Sequence, residues 1–383
     1  MLLQGQARPR PPKGKAQAHP GVHPLTTYSD RHFEPLPRPI GQPPYHFDLE
    51  NVIPGITQKA HDLGQLVFHT VGDTGGIKNA DYQAAVAAAM KGDLNNEEAE
   101  RPQFFYHLGD VVYYNGQVDD YYDQFYEPYD HYGAPILGIA GNHDGDPISS
   151  LQTSLDGWVR YFMTPRPHID PISGDAPRVT LSLPNVYYTL VCPYVTIVGM
   201  YTNVPEGGSI DSVQQQWLTN EFATSPEDKA LIVALHHPVY SFDDHHSGSA
   251  AMADALQHAI NDSRRVPNLV LTAHVHNYQR ISRKIADKDV TPFIVAGAGG
   301  YYHLHGMTAD TGHVDEEVDA KLEFHDQYHH SYVTLTVSST EIAGVMTPLA
   351  ETGSQKHQND AKPDQFSCSA KPLKLKDGVV VSL

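Results

Sequence analysis

Phe104-Phe105-Tyr106-His107-Leu108-Gly109-Asp110-Val111-Val112-Tyr113 is the stretch that decides the fold of this chain. Its first half is an apolar run of strand length, and the Gly-Asp that follows breaks the run into a loop. An aspartate at such a strand end, with a tyrosine three residues on, can offer two anionic oxygens to one point. Taken alone, Gly-Asp after a strand is an ordinary turn. The weight of the reading therefore falls on whether other segments end in the same way.

Upstream, Leu66-Val67-Phe68-His69-Thr70-Val71 reads as a strand that ends in Gly72-Asp73-Thr74-Gly75-Gly76, with an Ala-rich helix over 80–91 after it. Downstream, the strand 136–140 ends in Gly141-Asn142-His143-Asp144. The strand 230–235 runs into His236-His237-Pro238, and 269–272 into Ala273-His274-Val275-His276. Segments 185–191 and 194–200 alternate like an antiparallel pair with a helix over 212–222 behind them; 117–126 reads as a helix, and 292–295, 332–337 and 342–346 as further strands. Short apolar runs alternating with helical patterns mark an α/β fold. Active sites of such sheets form at the carboxyl ends of the strands, and here five strand ends carry metal-ligand residue types.

Composition narrows the class. The chain has 383 residues, 40% hydrophobic and 19% charged, with a net charge of −19. That length suits one large α/β domain with extensions. The organisation expected is a Pro-rich extended N-terminal arm over 1–45, holding ten prolines, a catalytic domain over 46–348 and a polar C-terminal tail over 349–383. The acidic balance argues against nucleic acid or an anionic membrane as partner, while bound metal ions reverse the local field for an anionic substrate. Without an apolar N-terminal h-region or a bilayer-length apolar run, the sequence as given is expected to be cytoplasmic, or exported if a leader was removed. Cys192 and Cys368 lack zinc or redox spacing and are read as structural.

The 24 histidines, in contrast, are bunched after apolar segments. Two metal ions about 3.5 to 4 Å apart need a bridging ligand, and the carboxylate of Asp110 can bridge. His274 and His276, one residue apart on an extended segment, can reach adjacent metals, one each.

The order Gly-Asp-x-Gly, Gly-Asp-x-x-Tyr, Gly-Asn-His-acid, Val-x-x-His and small-His-x-His resembles the calcineurin-like metallophosphoesterases, and within them the purple acid phosphatase branch. The match runs from Gly72 to about Arg280. The resemblance implies a four-layer α-β-β-α sandwich of two mixed sheets flanked by helices. It also implies that Asp73, Asp110, Tyr113 and His276 hold one metal and that Asp110, Asn142, His236 and His274 hold the second. In the wider superfamily the first motif reads Asp-x-His; here Gly75 stands in place of that His while Tyr113 enters the second motif, the paired exchange of the purple branch. Two carboxylates and a phenolate favour Fe(III) at the first position, and neutral Asn142 and His donors favour Zn, Fe or Mn(II) at the second. Ala273 departs from the family's Gly, and His237 beside His236 is a competing ligand, with the Val-x-x-His register pointing to His236.

The activity so implied is hydrolysis of small phosphomonoesters by a metal-bound hydroxide. The departing alkoxide needs a proton, for which His143 and the pair His245 and His246 are the candidates; the alternative for that pair is a solvated loop. Two other functions stay open: a phosphodiesterase with the same metals, acting on cyclic nucleotides or a lipid headgroup, and a metal- or phosphate-binding protein without turnover. A metal amidohydrolase is disfavoured, because its His-x-His belongs on a first barrel strand. Gly297-Ala298-Gly299-Gly300 lacks the Lys-Ser/Thr ending of a phosphate-binding loop and reads as a tight turn beside the site. Residues 305–330, polar and without period, read as a lid or specificity loop.

Overall fold

The computed structural model describes residues 32–286 and 289–383. In chain order its strands are β1 (His46–Asp48), β2 (Gln65–Val71), β3 (Phe105–His107), β4 (Ile136–Gly138), β5 (Tyr188–Val191), β6 (Val195–Gly199), β7 (Ala230–Ala234), β8 (Arg265–Val266), β9 (Leu269–Thr272), β10 (Tyr278–Ala286), β11 (Asp289–Ala296), β12 (Val314–Asp315), β13 (Ala320–Asp326), β14 (Ser331–Ser338), β15 (Glu341–Pro348), β16 (Asp364–Ser369) and β17 (Leu373–Lys374). The helices are α1 (Ile56–Leu63), α2 (Asp81–Asp93), α3 (Asn142–Gly145), α4 (Asp156–Phe162), α5 (Ser212–Thr224) and α6 (Ala250–Ser263).

Two mixed sheets carry these elements, in the orders β16-β15-β14-β2-β3-β4 and β1-β5-β6-β7-β9-β11-β10-β13-β12. Strands such as β2, β3, β7 and β9 are apolar runs buried on both faces, as expected where a sheet is covered on both sides. Strand β11 of one sheet packs on β14 and β16 of the other, α1 and α2 lie against β2 and β14, and α5 pairs with α6. The result is the α/β layering of two mixed sheets with outer helices. Local chemistry sets the helix ends. Asp211 accepts the Gln214 N–H at the start of α5, and Ser249 the Met252 N–H at the start of α6.

The topology places the strand ends side by side. Strands β2, β3 and β4 are parallel neighbours, as are β7 and β9. Their carboxyl ends therefore open onto one region, three from one sheet and two from the other.

Three segments differ from expectation. Residues 117–126 form a short 3-10 turn over Val118–Asp120 and a π-helical turn over Tyr122–Tyr126 rather than an α-helix. Of the 305–330 stretch, Val314–Asp315 and Ala320–Asp326 are strands, the second paired with β10, and the rest is loop. The expected C-terminal tail is built into the body. Its β16 extends the six-stranded sheet antiparallel to β15, and Asp364 is buried against Arg280 (2.7 and 2.9 Å) and the Tyr278 hydroxyl (2.9 Å). The alternation of Asp364-Gln365-Phe366-Ser367-Cys368-Ser369 is too polar to read as a strand because this is an edge. Of the N-terminal arm, residues 1–31 lie outside the described residues. Residues 32–45 follow the surface, Glu34 pairing with Asn203 and Ile40 and Gly41 donating to the Pro184 carbonyl.

Candidate metal centre

Asp73 follows β2, Asp110 follows β3, Asn142 opens α3 after β4, His236 follows β7, and His274 follows β9. Together with Tyr113 and His276 these side chains converge, and each is between 0% and 7% exposed. Asp73, Asp110 and His274 all hold left-handed φ angles, of 54°, 53° and 67°. Non-glycine residues take that conformation only when surrounding contacts hold them there.

Those contacts are specific. The Asp144 carboxylate accepts the N–H groups of Val111 (3.0 Å), Val112 (3.2 Å) and Gly141 (2.8 Å), tying the loop after β3 to the loop after β4. The His274 N–H donates to Asp73 Oδ2 (2.7 Å), and the His143 N–H to Asp110 Oδ1 (2.9 Å). His274 and His276 do not lie on an extended segment, as the sequence suggested. The Val275 and Asn277 N–H groups turn back on the Ala273 and Val275 carbonyls, which splays the two rings. Glycines make room. A Cβ on Gly141 would lie 2.1 Å from Asp110 Oδ1, and one on Gly297 would lie 2.7 Å from Asp73 Oδ2. The loop read as a tight turn thus abuts the carboxylate.

The Tyr113 hydroxyl donates to Asp73 Oδ1 (2.9 Å) and lies 3.3 Å from His276 Nε2. The exchange at Gly75 has a steric basis: a Cβ there would stand 2.7 Å from Tyr113 Cδ2 and 2.5 Å from Gln124 Oε1. No side chain can occupy position 75 while the Tyr113 ring is in place.

His236 donates its Nδ1–H to the Leu108 carbonyl (2.9 Å), which leaves Nε2 as a lone pair 3.4 Å from Asp110 Oδ2. Neither of these buried atoms has a hydrogen-bond partner. Two lone-pair atoms facing each other out of water's reach call for a cation between them, or a proton in its place. Burial opposes charge on His236, but Asp110 outweighs it and pushes the ring up to about 9. Burial drives Asp73 well above the usual carboxylate range, partly countered by His236. Burial, then the charges of Asp110 and Asp73, keeps the Tyr113 phenol protonated. Burial also holds His274 (about 4) and His276 neutral, with His246 adding to the effect on the first and His305 to that on the second. The donor set fits metal ions: oxygen anions and neutral imidazoles brought together, with His236 and His276 fixed by backbone carbonyls. Asp110, His236 and His274 offer ligand atoms within 4.8 Å of one another. Asn142 Oδ1 sits 3.0 Å from His274 Nδ1, beside the same group.

His237, the competing ligand, is turned to Thr202 Oγ1 (2.7 Å). His143 donates Nδ1–H to the Tyr114 carbonyl (2.8 Å), and its ring packs 4.6 Å from that of Tyr113. His246 lies 4.4 Å, ring to ring, from His274, and bonds Glu206 through Nδ1 (2.8 Å). His245, more exposed, bonds Asp244 (2.7 Å).

Four neighbours had not been singled out: Glu206, Asp243, Tyr301 and His305. Glu206 Oε1 also reaches His274 Nε2 at 3.4 Å, and the His305 and Tyr301 rings pack 4.4 and 4.2 Å from that of His276. A sequence signal existed for one of them, since His303-Leu304-His305 repeats the His-x-His spacing of 274–276.

A sequence profile of the calcineurin-like phosphoesterases matches residues 66–278. Among curated proteins, the chain is 26% identical over 271 residues to the tartrate-resistant acid phosphatase type 5 of Sus scrofa, covering 68% of this chain and 76% of that one. It is 26% identical over 220 residues to a probable purple acid phosphatase of Arabidopsis thaliana, covering 52% and 47%. Among solved structures, a purple acid phosphatase from yellow lupin (Lupinus luteus) seeds superposes with a TM-score of 0.56 at 16% identity, over 80% of this chain and 54% of that one. This chain thus spans about half the lupin enzyme's length. The anchor of the inner membrane complex of Plasmodium superposes with a TM-score of 0.55 at 15% identity, over 82% and 90%.

Proposed function

The chain belongs to the calcineurin-like phosphoesterase family, and from that premise we propose that it hydrolyses small phosphomonoesters at a dinuclear metal centre. The observation that carries this reading is the unpartnered, buried pair Asp110 Oδ2 and His236 Nε2 at the meeting point of five strand ends. In this reading Asp73, Asp110, Tyr113 and His276 hold one ion, and Asp110, Asn142, His236 and His274 the other. The first set suits Fe(III), because its hard anionic oxygens include a phenol kept beside two carboxylates. The second suits Zn, Fe or Mn(II), its Asn142 and imidazole donors being neutral. When bound, the ions supply Lewis-acid activation of water and neutralise charge on the phosphate.

The chain's own groups do the rest. His143 is fixed at its N–H by Asp110 and at Nδ1 by the Tyr114 carbonyl, so its Nε2 is oriented for a phosphate oxygen or a leaving group. His246, held by Glu206 and packed on His274, is positioned to give the departing alkoxide its proton, and His245 precedes it on the same loop. Asp144 keeps the two ligand loops in register.

A second reading has one observation in its favour. The Glu206 carboxylate, beside both His246 and His274, puts negative charge at the mouth of the site, which favours a singly charged diester over a dianionic monoester. The likeness to the Plasmodium anchor concerns the fold alone. The test is turnover of p-nitrophenyl phosphate against bis(p-nitrophenyl) phosphate by metal-replete protein, wild type and Asn142→Ala. Faster monoester turnover, lost in the variant, is expected; faster diester turnover selects the second reading, and turnover of neither refutes both.

A further inference from the structure

His305 comes from the loop after β11, and its ring lies in the middle of the histidines beside the metal centre. Ring to ring, it is 4.4 Å from His276, 4.4 Å from His245 with the planes 14° apart, and 5.4 Å from His246. All three outer imidazoles are anchored alike. His245 bonds Asp244 through Nδ1, His246 bonds Glu206 through Nδ1, and His305 bonds Asp243 through Nδ1 (3.2 Å). A ring tethered at Nδ1 presents Nε2 to whatever lies in front of it, and among the described residues the His305 ring hydrogen-bonds through Nδ1 alone.

Asp243 does more than hold that ring. Its Oδ2 also accepts the N–H groups of His245 (2.9 Å) and His246 (2.8 Å), and its Oδ1 accepts the Asn277 amide (3.1 Å). Asn277 adjoins His276, whose carbonyl accepts the His305 N–H at 2.9 Å. One carboxylate with a fully buried side chain therefore links the 245–246 loop, the His305 loop and the segment bearing His276. A carboxylate with four such donors is fixed in place, and so is what it holds.

We propose that His305 is a further substrate-facing imidazole of this site, contacting the phosphate group through Nε2, and that Asp243 is the positioning residue that sets His305, His245 and His246 at their places around it. The proposal rests on the phosphoesterase reading above. It adds to that reading one residue that touches substrate and one that acts only through others.

The test uses the metal-replete full chain with His305→Gln, Asp243→Asn and Asp243→Ala. The readouts are kcat and KM for p-nitrophenyl phosphate, the inhibition constant for inorganic phosphate, and metal content. Loss of one hydrogen bond to a charged group predicts that His305→Gln raises KM and the phosphate inhibition constant roughly 10-fold. Metal content should stay at wild-type level and kcat should change much less, the signature of lost uniform binding. Asp243→Asn keeps a carbonyl oxygen for the three donors at Oδ2, losing only the Asn277 amide at Oδ1, and should retain most of the affinity; Asp243→Ala should be worse than His305→Gln. A phosphate inhibition constant unchanged in His305→Gln overturns the proposal, as does a loss of metal in step with the loss of affinity, which would make His305 a support for His276 only. If the wild type shows no turnover, the function reading fails by itself, and calorimetric affinity for inorganic phosphate in the same variants decides on His305 by the same criterion.

Discussion

Removing the Asp144 side chain should cost the protein both stability and its metals. The carboxylate is fully buried and accepts three backbone N–H groups, those of Gly141, Val111 and Val112, at 2.8 to 3.2 Å. Asp144→Ala leaves these donors without an acceptor where water does not reach. At about 1–3 kcal/mol for each buried unsatisfied group, the loss is on the order of 3–9 kcal/mol. Asp144→Asn keeps one oxygen for Val111 and Val112 but turns an N–H toward that of Gly141, so about one donor is lost, roughly 1–3 kcal/mol. The functional effect follows from the same bonds. The Val111 and Val112 N–H groups pin the chain just after Asp110, whose left-handed φ of 53° needs such support. With them released, Asp110 relaxes and the bridging position is lost. Urea unfolding of wild type, Asn and Ala variants, with metal content of the folded fraction, is the assay. A graded loss, Ala well beyond Asn and accompanied by fewer metals, is expected. An Ala variant within 1 kcal/mol of wild type and retaining its metals would refute the reasoning.

Three further outcomes follow from single contacts. Gly75→Ala places a methyl against Tyr113 and Gln124 and should destabilise by about 1–3 kcal/mol, an effect that Tyr113→Ala relieves in part in the double variant, the Gln124 contact remaining; additive losses in a double-mutant cycle would contradict the steric account. Tyr113→Phe should remove the colour of an iron-loaded protein while leaving the far-ultraviolet circular dichroism unchanged, and a visible spectrum identical to wild type would break the assignment of Tyr113 as ligand. Burial, helped by His236, lowers His107 from 6.5 to about 3, its ring bonded on both nitrogens by the Gly109 N–H and Thr74 Oγ1. The unfolded chain therefore takes up a proton that the fold refuses, so stability is fully present above pH 6.5 and falls toward pH 3, by up to ~1.4 kcal/mol per pH unit from this group. His107→Gln should flatten that slope in urea titrations of metal-free protein from pH 6.5 to 4, and an unaltered slope counts against it.

The five strand ends were legible because each rests on local chemistry, an apolar run followed by a loop residue with lone pairs. The Gly75 and Tyr113 exchange was legible as a pattern, although its cause, two side chains competing for one volume, appears only when Tyr113 Cδ2 is seen 2.7 Å from a Cβ at position 75. Glu206 and Asp243 were not legible, and His305 only through the His-x-His spacing it shares with His303. They come from loops after Gly199, Ala234 and Ala296, and their value lies in contacts with His246, His274 and His276 that no spacing encodes. Strand β13 does alternate Ala320, Leu322 and Phe324 with Lys321, Glu323 and His325, a short signal set in an otherwise polar stretch, whereas β16 has only Phe366 and Cys368 as apolar positions, so its alternation is blurred. The splay of His274 and His276 was hidden for another reason: a left-handed φ at a histidine is imposed by the carboxylate that its N–H meets, not by its own preference.

The claim of a dinuclear hydrolytic centre is tested most directly by titrating metal-free protein with iron and zinc while following p-nitrophenyl phosphate hydrolysis and bound metal per chain. Activity that appears with metal and saturates at two ions per chain is the predicted result. Saturation at a single ion, or hydrolysis equally fast in protein stripped of metal, would contradict the account.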